Sequence, residues 1–220
     1  MSFAVEVFSS DTYAVETARR ITDRAPAEGS LVLTGGSTAA EVYSELHLDL
    51  SEVDVFFSDE RCVPPDHEAS NFALARGSLL DRCAAARVHR MRGEDSPIDA
   101  ARAYSEELTP AVERGFDLTI LGMGDDNHIA ALFPNSLPLI NPDALCLPVD
   151  RPDGMKGLTM TEPALVAARS ILLIVTGAKK AKAVERAVNG DNDPLTCPVL
   201  LLAGHPDATL LLDEAAAARL

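Results

Sequence analysis

The segment LGMGDDNHIAALFP (121–134) carries the most chemistry in the chain: a β-type run ends at Gly122, and His128 follows with Asp126 two residues before it. The pattern predicts a short helix opening at His128 and stopped by Pro134. A helix start disfavours an imidazolium, so His128 reads as a neutral general base at about pH 7. Asp126 either orients the ring or caps the helix, and the two roles can coexist. The spacing Gly122-x-Gly124-x-x-Asn127 is close to a dinucleotide fingerprint. Pro134, Pro138 and Pro142 nevertheless leave no room for the crossover of about 10–12 residues that a nucleotide fold needs.

Other segments carry groups that suit an anion. TGGST (34–38) ends a strand and opens a helix. Its glycines and free helix-start N–H groups suit a phosphate, or it is a tight turn capped by Ser37 or Thr38. No Gly-Lys-Ser/Thr follows, so it is not a Walker loop, and Ala39 spoils a Gly-x-Ser-x-Gly nucleophile elbow. SDERCVPP (58–65) sets Asp59, Glu60 and Arg61 at a strand end ahead of a stiff diproline. These charges form either a solvated cluster or a set held still for a ligand. VTGAKKAKAVERA (175–187) puts Lys179 and Lys180 just after a strand and a glycine, as a solvated helix face or as a cation aimed at the anion site. His47, His67, His89 and His205 lack a partner pattern and read as structural or exposed.

Positioning these groups falls to an alternation of short β-branched runs and amphipathic segments. FAVEVFS (3–9), SLVLT (30–34), VDVFF (53–57), FDLTILG (116–122), ILLIVTG (171–177) and ATLLLD (208–213) read as strands. Helices are expected over 11–25, 39–46 and 69–80, after His128, after Gly177 and in the terminal EAAAARL. Strands alternating with helices imply an α/β fold, doubly wound, with a mostly parallel sheet and helices on both faces, in a single domain over 1–220. Every polar turn named above lies at a strand's carboxyl end, where open α/β sheets bind ligands, so the turns converge on one site.

Composition narrows the function classes. With 19 Lys+Arg against 34 Asp+Glu the net charge is −15, which argues against a nucleic-acid groove but leaves room for a local anion site. Apolar stretches such as 170–177 fall well short of the ~20 residues of a membrane span. MSFAVEVFSS has no basic leader region, so the expectation is a cytoplasmic protein without membrane contact. Cys62, Cys83, Cys146 and Cys197 form no Cys-x-x-Cys or Cys/His cluster and read as reduced thiols, with neither metal nor cofactor expected.

At these residues the chain resembles the 6-phosphogluconolactonase family along nearly its whole length. The matching motifs are TGGST (34–38), SDERCVP (58–64), Ser70-Asn71, GMGDDNHIAALFP (122–134), VTGAKKA (175–181) and LLDEAAA (211–217). The resemblance implies an α/β fold shared with amino-sugar-phosphate isomerases and hydrolysis of a phosphorylated gluconolactone, with no cofactor. By motif position His128 is the base and Asp126 its neighbour, while Gly35, Gly36, Ser37, Thr38, Asp59, Arg61, Asn71 and Lys180 surround the substrate. The chain departs from the family pattern at several positions. Asn127 stands where the family usually has glycine, and asparagine tolerates positive φ. Ile129-Ala130-Ala131 replaces the usual Thr-Ala-Ser. Gly157 stands where the family typically has an arginine ahead of a Thr-Leu-Thr strand, which makes Lys156 the nearest replacement cation.

A δ-lactone is a labile ester, so an activated water and oxyanion donors suffice, and general-base catalysis supplies ~10²–10⁴-fold. An amino-sugar-phosphate deaminase or isomerase is the enzymatic alternative. It needs a further acid after the histidine, where this chain has Leu132-Phe133-Pro134. A sugar-phosphate sensor domain would keep the anion loop without needing His128. The expected partner is a small phosphorylated sugar lactone, for a monomer or small homo-oligomer.

Overall fold

A computed structural model describes residues 3–140, 144–190 and 193–220. Ten strands are present among them. They are β1 (Ala4–Phe8), β2 (Gly29–Leu33), β3 (Val53–Phe57), β4 (Asp59–Arg61), β5 (Arg87–Val88), β6 (Phe116–Gly122), β7 (Cys146–Asp150), β8 (Lys156–Met160), β9 (Ala168–Val175) and β10 (Ala208–Asp213). Seven of them form one sheet in the order β1-β10-β9-β6-β2-β3-β5, and every adjacent pair is parallel. This is the doubly wound α/β sheet that the alternation predicts.

Period-two alternation along each strand feeds two separate cores. Val32, Phe56, Leu121, Ile171, Leu173 and Leu210 pack on one face against helix residues such as Tyr104 and Leu108. Leu31, Leu33, Val55, Phe57, Leu118, Ile120 and Leu172 pack on the other, against Ile21, Val42, Tyr43 and Ala75. The helices responsible are α1 (Tyr13–Arg24), α2 (Ser37–Ser44) and α3 (Asn71–Ser78) on one side and α4 (Pro97–Arg114) on the other. Because both faces are covered, the central strands read as nearly continuous apolar runs.

All three tyrosines of the chain close the carboxyl ends of strands. Tyr43 Oη accepts from Thr34 N and donates to Thr34 O, while Tyr104 Oη does the same at Phe57. Tyr13 Oη accepts from Val175 N and donates to Leu211 O. Burial drives all three phenols well above their ordinary pKa, so each stays a neutral hydroxyl able to serve both roles. The backbone groups released where the ladder stops are thereby satisfied, and the strand ends that carry the polar turns are fixed.

A second sheet, antiparallel and in the order β4-β8-β7, stands outside the pattern expected from sequence. Its hairpin turns on Pro152-Asp153-Gly154, with Gly154 N bonded to Arg151 O and Arg151 N to Met155 O. That Pro-Asp-Gly sequence between two β-type runs was the available signal. Two predicted helices are missing. Residues 129–133 form an isolated Ile129–Leu132 bridge around a tight turn, and 214–219 form only turns. No helix among the described residues is long and apolar enough to cross a membrane.

Candidate active site

The turns after β2, β3, β6 and β9 meet at a cleft of about 220 Å³. Gly35, Gly36, Ser37, Thr38, Asp59, Arg61, Asn71, His128 and Lys180 all line it, so most of the residues singled out from sequence are brought together. Asp126 stands behind His128, and Lys156 lies elsewhere.

The glycine turn presents its backbone to the cleft. Gly36 is the N-cap of α2 and no side chain caps the helix, contrary to the alternative in which Ser37 or Thr38 does so. Thr38 Oγ1 is instead 2.7 Å from Thr176 Oγ1, tying this turn to the one after β9. The first-turn N–H groups of α2 are therefore left for an anion in the cleft.

At the end of β3 the chain leaves the main sheet, and β4 pairs antiparallel with β8. Asp59 and Glu60 are buried here, which overturns the solvated-cluster reading. Glu60 accepts from Arg61 N, Asn71 N (2.7 Å), Phe72 N (2.8 Å) and Ser70 Oγ, and so docks the start of α3 onto the strand. Burial nonetheless raises the Glu60 pKa, outweighing those four hydrogen bonds. Asn71 Nδ2 donates to Asp59 O. Arg61 Nη1 donates to Ala69 O, while its buried Nε has no acceptor among the described residues. Arg61 also lines the cleft, where a guanidinium suits an anionic ligand.

His128 follows β6 on a loop rather than a helix, so the helix-dipole argument for its basicity loses its premise. Asn127 (φ 68°) and Ala130 (φ 49°) take left-handed conformations that no helix admits. The loop is held from outside: Asn127 Nδ2 donates to Ala183 O (2.7 Å), and Asn127 O accepts from Val199 N. Asp126 does not cap a helix; it orients the ring. Its Oδ1 lies 2.6 Å from His128 Nδ1 and also accepts from His128 N. Burial alone would raise the Asp126 pKa, but the hydrogen bonds and charge of His128 more than offset it and the carboxyl sits below its usual range. An ionised carboxylate only accepts, so Nδ1 carries a proton, and in the neutral ring Nε2 holds the lone pair. Phe133 packs against the ring, 4.6 Å between centroids.

Lys180 ends a single 3₁₀ turn, Ala178–Lys180, and its side chain lines the cleft. That turn is anchored by Asp213, whose carboxylate accepts from Gly177 N and from Ala216 N. Lys156 corrects the sequence reading. Strand alternation puts its side chain on the opposite face of β8 from Gly157, where it is exposed and bonded to Asp150 Oδ1 at 2.7 Å. The cation that sequence reasoning missed is Arg151, at the β7–β8 turn, which lines the cleft with a side chain only 9% exposed. No three His, Cys, Asp or Glu side chains among the described residues group to hold a metal ion.

Residues 9–211 match the family model described as glucosamine-6-phosphate isomerases/6-phosphogluconolactonase. A 6-phosphogluconolactonase of Treponema pallidum is 38% identical, covering 68% of each chain. One from Synechocystis is 35% identical over 86% of this chain and 83% of its own. Among solved structures, a 6-phosphogluconolactonase from Shewanella baltica superposes with a TM-score of 0.83 at 25% identity, covering 96% of this chain and 97% of the other.

Proposed function

The chain belongs to the glucosamine-6-phosphate isomerase/6-phosphogluconolactonase family, and from that premise we propose that it hydrolyses 6-phospho-D-glucono-1,5-lactone to 6-phosphogluconate with His128 as general base. The observation that carries this reading is the 2.6 Å Asp126–His128 pair set at the wall of a cleft that also holds Arg61 and Lys180. His128 Nε2 takes a proton from water as the water oxygen bonds to the lactone carbonyl carbon. Asp126 steadies the imidazolium that forms. Backbone N–H groups of the glycine turn are at hand for anionic oxygen on the substrate. As the tetrahedral species collapses, the ring C–O bond breaks and His128 returns the proton to the departing hydroxyl. The acid product then ionises.

This mechanism uses no covalent nucleophile, which gives Ser37 only a lining role. Ser37→Ala should lower kcat by no more than about fivefold, since loss of one neutral contact is worth ~1 kcal/mol or less. A trapped acyl-enzyme on the wild-type serine would instead make the protein a serine hydrolase. The decisive measurement is acid release from fresh gluconolactone 6-phosphate beside unphosphorylated gluconolactone. The phosphorylated lactone should be preferred by at least tenfold in kcat/KM; equal efficiency on both would remove the substrate assignment.

A further inference from the structure

Arg151 reaches the cleft across a glycine. In the β4-β8-β7 sheet Gly157 pairs with Val149 on one side and Arg61 on the other. A Cβ on Gly157 would lie 3.1 Å from Arg151 Cδ, 3.0 Å from Glu60 O and 3.3 Å from Val149 Cγ1. Gly157 does not have a left-handed φ, so what the site needs from it is space. The Arg151 side chain runs through that space.

The guanidinium is clamped before any ligand arrives. Nε donates to Asp153 Oδ2 at 3.1 Å, and the group lies over the Phe133 ring, 5.4 Å from its centroid. Nη1 is 3.7 Å from the Asp59 carboxylate, too long for a hydrogen bond but close enough to balance the charge. Asp153 is itself fixed by accepting from Met155 N within the hairpin turn. With Nε committed, the two Nη groups are what Arg151 has left for the cleft, and a guanidinium edge of that kind holds two phosphate oxygens at once. The rotamer entropy of binding is largely met in advance.

We propose that Arg151, admitted by Gly157, is the specificity-determining residue that binds the substrate phosphate together with Lys180. This rests on the reading of the substrate as a phosphorylated lactone. It replaces Lys156, the cation expected from sequence, with one drawn from the neighbouring strand's end. It also gives Gly157→Arg a definite sign. The added side chain has no room without displacing Arg151, so it does not add a cation to the site.

The test compares wild type, Arg151→Ala, Arg151→Lys, Gly157→Ala and Lys156→Ala on gluconolactone 6-phosphate and on unphosphorylated gluconolactone. Arg151→Ala should raise KM for the phosphorylated lactone tenfold or more, a change worth ~1.4 kcal/mol, with a much smaller effect on the unphosphorylated one. Arg151→Lys should recover part of that loss, because it restores charge without the fork. Gly157→Ala should move in the same direction as Arg151→Ala, and Lys156→Ala should match wild type. Competition by inorganic phosphate should weaken in the same order, a readout of the anion site itself rather than of the lactone. The inference is overturned if Arg151→Ala lowers kcat/KM equally on both lactones, or if phosphate competes equally well with wild type and variant. Wild type that itself treats both lactones alike would remove the substrate reading instead, so the two failures are distinct.

Discussion

His128→Ala should lose at least two orders of magnitude in kcat while the protein still binds 6-phosphogluconate nearly as wild type does. General-base catalysis contributes ~10²–10⁴-fold, and His128 is the only imidazole among the described residues that line the cleft. The phosphate contacts proposed above, at Arg151, Lys180 and the start of α2, lie on other turns, so binding of the product should be spared. The ring is about 29% exposed, and its loss opens no core cavity, so the unfolding midpoint should move by only a few degrees. Asp126→Asn separates orientation from charge. The amide oxygen still accepts from Nδ1, but it no longer stabilises the imidazolium, so kcat should fall between wild type and His128→Ala. Steady-state acid release at saturating lactone, with product affinity measured alongside, makes the comparison. Turnover at the wild-type rate in His128→Ala would take the general-base mechanism with it.

The sheet was legible in the sequence because its strands are short, β-branched and punctuated by glycine or polar turns. FDLTILG and ATLLLD fall on β6 and β10 without a shifted residue. The convergence of turns was legible for the same reason: parallel strands put all their carboxyl ends on one edge. The structure around His128 was not. Ile129, Ala131 and Leu132 are all fully buried, so their apolar run carries no periodicity that separates a helix from a folded-over loop. What excludes the helix is tertiary, namely the left-handed Asn127 and its bonds to residues some 55–75 positions later. The terminal EAAAARL has high helix propensity but is too short to nucleate a helix unaided. Lys156 was misplaced by strand parity: one residue's shift along β8 exchanges the cleft face for solvent. Arg151 carried no local mark, because its reach depends on which residue of β8 lies beside it.

Gly124→Ala is the most economical probe of the catalytic pair, and its outcome follows from where the added methyl must go. A Cβ on Gly124 would lie 2.1 Å from His128 Nδ1, 2.4 Å from its Cε1 and 2.5 Å from Asp126 Oδ1. Distances that short cannot stand, and the nearest obstructing atoms belong to the His128 and Asp126 side chains. Gly124 has no left-handed φ, and its N–H still bonds His128 O, so the loop backbone has no reason to move. The least costly relaxation swings the ring away from Asp126 and breaks the 2.6 Å contact. The fold should survive with a shift of a few degrees in Tm, while kcat falls by about 10²-fold, the penalty typical of a 1 Å misplacement of a reacting group. The double variant Gly124→Ala/His128→Ala distinguishes this account from general damage. With no ring to displace, the methyl is harmless, so the pair should be no slower than His128→Ala alone. If the two losses multiply instead, Gly124 contributes something other than room for the imidazole. If Gly124→Ala keeps the wild-type kcat, the ring position seen here is not the one that catalyses.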